Sequence, residues 1–224
     1  GYGFNRFNRV ENYNTNNFFN YEKGFGNHDF NITAGFSYQQ SQNQFNSVTG
    51  TDFPSDAYKK IASAAKISRG SSTKSNFRFV SYFARANYKL LNRYLASISG
   101  RIDGSSRFGK DSRYGFFPAV SFGWILTDEG FMSDNSQISF LKLRTSYGRT
   151  GNAEIGDLPQ LALYSGDAGY GGFPGQRPSQ LGNPDLQWEN TNQFDLGIDF
   201  GFLNDRITGE LDLYTTNTKG LLLT

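Results

Sequence analysis

LGNPDLQWENTNQFDLGIDFGFLNDRITGELDLYTTNTKGLLL, residues 181–223, sets apolar side chains at every second position and polar or acidic ones between them. Phe194, Leu196, Ile198, Phe200 and Phe202 alternate with Asp195, Gly197, Asp199 and Gly201. Beyond Leu203–Arg206, Ile207, Leu211 and Leu213 alternate with Thr208, Glu210 and Asp212. A period of two belongs to a β-strand whose faces meet different surroundings. The stretch therefore predicts two amphipathic strands joined by a tight turn.

The same period recurs upstream. Phe30, Ile32, Ala34, Phe36 and Tyr38 interleave with Asn31, Thr33, Gly35 and Ser37, and Val80, Tyr82, Ala84, Ala86, Tyr88 and Leu90 oppose Ser81, Arg85, Asn87 and Lys89. About eight strands are expected by this pattern, at 12–22, 28–40, 76–90, 94–106, 115–127, 138–149, 187–202 and 206–218. Most reach the roughly 9–11 residues that a tilted membrane-spanning strand needs, against roughly five or six in soluble sheets. The links alternate as well: tight turns at 24–27, 91–93 and 203–206, a somewhat longer one at 128–137, and long connections near 41–75, 107–114 and 150–186. Outer-membrane barrels sort short turns to one end and long loops to the other. Within the first long link, Asp56–Lys66 reads as a short helix.

Composition agrees with an all-β, antiparallel up-and-down transmembrane barrel. The chain is 37% hydrophobic and 17% aromatic, with a net charge of +2. No apolar run is long enough for a transmembrane helix. The near-neutral charge gives no case for nucleic acid, and the absence of cysteine removes disulfides and thiolate chemistry.

Three longer motifs carry a family resemblance: RIDGSSRFGKDSRYGFFPAVSFGWILTDEGFM (101–132), LKLRTSYGRTGN (141–152) and LGNPDLQWENTNQFDLGIDFGFLNDRITGELDLY (181–214). Together they resemble the barrel of SusC/RagA-type TonB-linked outer-membrane transporters. The resemblance implies a 22-stranded barrel, of which this chain holds about eight strands. It further implies active import of glycans or oligopeptides, a SusD-like surface lipoprotein as lid, TonB contact through parts of the protein outside 1–224, and extracellular long loops. No plug domain is recognisable in 1–224, which reads as a section of a longer chain. A passive porin and a secreted sugar-binding β-sandwich are the alternatives.

No constellation points to an enzyme, a metal or a cofactor. Asp195, Asp199, Glu210 and Asp212 could be paired acids for glycoside hydrolysis, but they recur with the strand period, as water-facing residues of a barrel lumen do. Arg85, Arg101, Asp103 and Arg144 are expected to pair with such acids across strands. His28 reads as a turn residue, Asp103–Asp111 lacks the spacing of a calcium hand, and GDAGYGGFPG lacks the lysine of a phosphate loop. Tyr82, Tyr88, Tyr94, Phe116, Phe117, Trp124 and Tyr147, towards strand ends or on the apolar face, are expected in membrane girdles or in contact with lipid. Tyr164, Tyr170, Phe173 and Trp188, in or beside the last long link, are the candidates for contact with ligand or partner, and Asn183–Asp185 is expected to steer that link back into the wall.

Overall fold

A computed structural model of the chain describes residues 1–132 and 137–222. Eight strands form one antiparallel sheet: β1 (Tyr2–Phe25), β2 (His28–Thr51), β3 (Lys66–Leu90), β4 (Tyr94–Ser105), β5 (Tyr114–Ile125), β6 (Ile138–Asn152), β9 (Glu189–Phe202) and β10 (Ile207–Lys219). Each follows its sequence neighbour in space, except that β6 pairs with β9 past a small separate hairpin, β7 (Leu163–Ser165) and β8 (Arg177–Gln180). The sheet is open. β1 and β10 are its outer strands, each paired on one side only among the described residues.

Register keeps the apolar positions in line across the sheet. Ile32, Ala86, Ile98 and Val120 are successive partners, as are Phe36, Tyr82, Ile102 and Phe116; further on, Leu143, Ile198 and Leu211 align. This face carries no second layer: Ile98 is 64% exposed and Leu213 64%. A soluble protein does not leave a continuous apolar face of this size in water, whereas in a barrel wall hydrocarbon covers it. The only buried hydrophobic side chains among the described residues are Phe108, Phe117 and Trp188, all on the opposite side.

Tight turns gather at one end and are stitched together. Gly26–Asn27 closes the β1–β2 hairpin with a positive φ at Gly26, as a two-residue hairpin loop led by glycine requires. Leu91 N–H then donates to Asn27 O (2.8 Å) and Ile125 N–H to Arg93 O (2.9 Å). Leu203, Asn204 and Asp205 are all left-handed, and Ser139 braces the last by accepting from its N–H (2.9 Å) and donating to its carboxylate (2.6 Å). Part of the 128–137 link lies outside the described residues.

At the other end the hairpin arms are far longer than expected. β1, β2 and β3 run for 24, 24 and 25 residues, so the connection between β2 and β3 is confined to 52–65 rather than 41–75. The cause of the shortfall lies in the residues. Past Tyr38 and Val80 the formerly apolar face becomes Gln40, Gln42 and Gln44 opposite Arg78, Asn76 and Lys74, and a strand that has lost its apolar face carries no period-two signal. The helix expected over Asp56–Lys66 is reduced to one 3₁₀ turn, Ile61–Ser63; so short a segment gains little helix from its own bonds and has no buried face here. Pro118 marks another boundary. The β5–β6 ladder starts at Ala119 opposite Gly148, since proline has no N–H to extend it.

Candidate functional site

On the concave, polar side, Arg144 of β6 faces Gly197 of β9. Its Nε donates to Asp199 Oδ1 (2.7 Å), and its Nη2 passes over β9 to donate to Asp212 Oδ2 on β10 (2.9 Å) and to approach Glu210 (3.5 Å). Lys142 Nζ adds a second cation to Asp199 at 3.2 Å. Gly197 is the gap that lets the guanidinium through: a Cβ there would stand 2.7 Å from Arg144 Cζ and 2.5 Å from Asp212 Oδ1. Gly197→Val is therefore expected to displace Arg144 and cost about 1–3 kcal/mol, with Gly197→Ala costing less, read from denaturant midpoints in detergent.

These carboxylates share one guanidinium along neighbouring strands, the arrangement of a ladder brace. The other arginines depart from the expectation of cross-strand ion pairs. Arg101 has Phe83 and Phe117 as strand partners, so it binds Asp103 on its own strand (2.6 and 2.8 Å) and Ser81 (2.7 Å). Arg85 has no acid opposite it and donates to Asn87 (3.0 Å) and Ser97 (3.2 Å). Around them the concave surface encloses about 910 Å³ at the tight-turn end and 700 Å³ nearer the long links.

The long-link end is organised by Trp188. Its ring meets Phe108 at 4.9 Å, Phe117 at 5.3 Å and Phe79 at 6.0 Å between centroids, and its indole N–H donates to Arg113 O (3.2 Å). Two of the sequence motifs thus interlock. Phe108 of DGSSRFGKD is fully buried against the Trp of LGNPDLQWE, and Gly109 sits so close that a Cβ would lie 2.1 Å from Pro184 O. Arg107 extends the node by donating to Ala153 O (2.9 Å) and Asp157 (3.2 Å) while lying over Phe77 at 4.1 Å. Phe117 accordingly faces inward and is not a girdle residue, because its side of β5 is the Arg101 side. Trp188, expected to offer a ring to ligand, is only 5% exposed and anchors the link instead.

The other three candidates stand apart from that core. Tyr164 lies on β7, and Tyr170 and Phe173 bracket the turn Gly171–Gly172, both of whose residues have positive φ. Tyr170 and Phe173 exchange backbone hydrogen bonds (3.1 and 3.0 Å), leaving their rings 90% and 77% exposed. Arg177 holds the base of this arm through two bonds to Asp167 (2.9 and 2.8 Å); with the Ser165 hydroxyl it keeps that carboxyl well below the usual carboxylate range. Sequence located the three rings but could not show their separation from Trp188, since pairing within the link is set by register and not by composition.

Three of the rings expected in girdles or against lipid, Tyr88, Tyr94 and Trp124, lie at the tight-turn end. Tyr94 and Trp124 stack at 6.3 Å, and His28 Nδ1 is bonded to Tyr88 OH at 2.8 Å. Glu129 accepts from Tyr94 Oη (2.6 Å), Trp124 Nε1 (3.0 Å) and Arg93 (2.7 Å). Those donors, Tyr94 first, hold its carboxyl below the ordinary 4.5. A depressed carboxyl stabilises the fold in full above its unfolded value and loses that contribution as pH falls through the folded one. The Trp124 indole resonance is expected to stay constant through the range in which an ordinary glutamate protonates and to shift only in stronger acid, and Glu129→Gln to abolish that transition.

The family model described as TonB dependent receptor-like, beta-barrel matches residues 1–224. The chain belongs to the TonB-dependent receptor-like β-barrel family. It is similar to TonB-dependent receptor SusC of Bacteroides thetaiotaomicron, 40% identical over 211 residues, which are 90% of this chain and 20% of SusC. It is also similar to TonB-dependent receptor P39 of Formosa agariphila, 36% identical over 223 residues, 98% of this chain and 22% of P39. This member of the TonB-dependent barrel family thus spans about one fifth of the length of those curated relatives. Among solved structures, the RagAB peptide transporter matches with a TM-score of 0.89 and 28% identity, over 96% of this chain and 24% of that one. The section is of the SusC/RagA type, an outer-membrane barrel wall.

Proposed function

We propose that residues 1–224 supply wall and mouth to an active transporter that draws energy through TonB and imports oligopeptides or glycans beneath a SusD-like lipoprotein lid. The observation that carries this reading is a sheet apolar outside and hydrogen-bonding inside, matched by the RagAB peptide transporter at a TM-score of 0.89. In this reading the end bearing 52–65, 106–113 and 153–188 faces the cell exterior, as long loops do in such barrels. Tyr164, Tyr170 and Phe173 stand at that mouth as rings for a sugar face, a peptide side chain or the lid. The plug and the TonB contact belong to parts of the protein outside this section.

The test is uptake of labelled oligopeptides and oligosaccharides by cells whose only copy of the full-length gene is wild type, deleted, or Tyr170→Ala/Phe173→Ala. Uptake of one substrate class that stops on deletion and on collapse of the proton-motive force supports the reading. Uptake that persists without energy makes the barrel a passive pore. A rate unchanged in the double variant removes the aromatic arm from the substrate path.

A further inference from the structure

The apolar face is not uniform. Across β2–β5, the partnered row Ala34, Ala84, Gly100 and Pro118 is made of small side chains, and it lies between the bulkier rows of Phe36, Tyr82, Ile102 and Phe116 and of Ile32, Ala86, Ile98 and Val120. A furrow of about 500 Å³ results, and its exposed lining is almost wholly apolar. Along β3 on the same face, Ala84 is followed by Tyr82 and Val80 and then by Arg78 and Lys74, where the apolar belt has ended. At ~3.3 Å per residue, Arg78 stands roughly 20 Å along the strand from the furrow, about the reach of one acyl chain. Arg78 and Lys74 are exposed, and neither makes an ion pair within the described residues.

Outward-facing cations at the rim of a hydrocarbon belt, above a slot sized for a chain, complement a lipid that carries phosphate. We propose that this face binds a phosphorylated lipid of the outer leaflet, its headgroup on Arg78 and Lys74, and one acyl chain running along β3 past Val80 and Tyr82 to end in the Ala84–Gly100–Pro118 furrow. The proposal rests on the orientation given above, with the long-link end outside. Its consequence is a fixed lipid on the wall beside the arms of β1–β3.

The full-length receptor, purified in detergent and offered lipid A or its dephosphorylated form, tests this by native mass spectrometry of bound lipid. Wild type is expected to retain the phosphorylated form at least tenfold better, and Lys74→Gln/Arg78→Gln to lose roughly thirtyfold for that form only, given about 1 kcal/mol for each of two basic residues near a charged surface. Ala84→Trp, which fills the furrow, is expected to weaken both forms alike. Equal retention of the two lipids by wild type overturns the proposal without recourse to any variant, and so does an unchanged preference in the double glutamine variant. Orientation has its own arm. Gly70→Cys, at a β3 position with open space around it, should react on intact cells with a membrane-impermeant maleimide. Failure to react overturns the orientation and the lipid site with it, whereas reaction without phosphate preference overturns the lipid site alone.

Discussion

Ile98→Lys destabilises the barrel by about 2–4 kcal/mol if its position is near the bilayer midplane, while Ser121→Lys, on the opposite face of the neighbouring strand, changes stability by less than about 1 kcal/mol. Ile98 is 64% exposed and touches no second protein layer. In water such a substitution would be neutral or favourable. Only hydrocarbon makes an exposed isoleucine costly to replace by an ammonium, so the sign of the effect separates a membrane wall from a soluble sheet. Refolding titrations into lipid vesicles measure both variants. Asp199 is unsuitable as the lumen control because Arg144 and Lys142 both bind it.

Trp188→Ala is expected to cost about 3–5 kcal/mol, in the range for a large aromatic removed from a packed site, and to release the 153–188 link. The ring is the common neighbour of Phe79, Phe108 and Phe117, and its N–H holds Arg113 O. Without it, Phe108 loses its cover and the contact of Gly109 with Pro184 has no backing. Limited proteolysis should then cut within 153–188 at rates where wild type is resistant, with the β-sheet signal in circular dichroism retained. Trp188→Phe should recover most of the packing but not the indole hydrogen bond. Equal protease resistance in wild type and Trp188→Ala would show that the arm is held by β7–β8 and Arg177 alone.

What could be read from sequence followed the contrast between the two faces. From Phe30 to Tyr38 one side of β2 is apolar and the other polar, and that strand was legible; from Ser41 to Thr51 the bulky apolar residues are only Phe45 and Val48, on opposite faces, and the rest of the same strand was invisible. The inner aromatic node escaped for the opposite reason. Phe117 sits in a strand otherwise apolar on the outside, and alternation alone, disturbed by the adjacent Phe116, could not say which way its ring points. Arg144 was recognisable as a partner for the acids, but its path over β9 depends on Gly197 lying opposite it, which only the register supplies. The exposed Tyr170 and Phe173 were legible from their glycine-rich surroundings, because Gly171–Gly172 is a turn by its chemistry.

The two bordering strands bear on how such a wall can exist at all. β1 is 24 residues long and β10 is 13, and their backbone groups on one side find no partner strand among the described residues. In hydrocarbon, each amide or carbonyl left so costs several kcal/mol. Insertion is therefore a collective event around the whole circumference. The section is tolerated in lipid only when neighbours have zipped onto both flanks, and a break along either seam spreads to the entire cylinder instead of staying where it began.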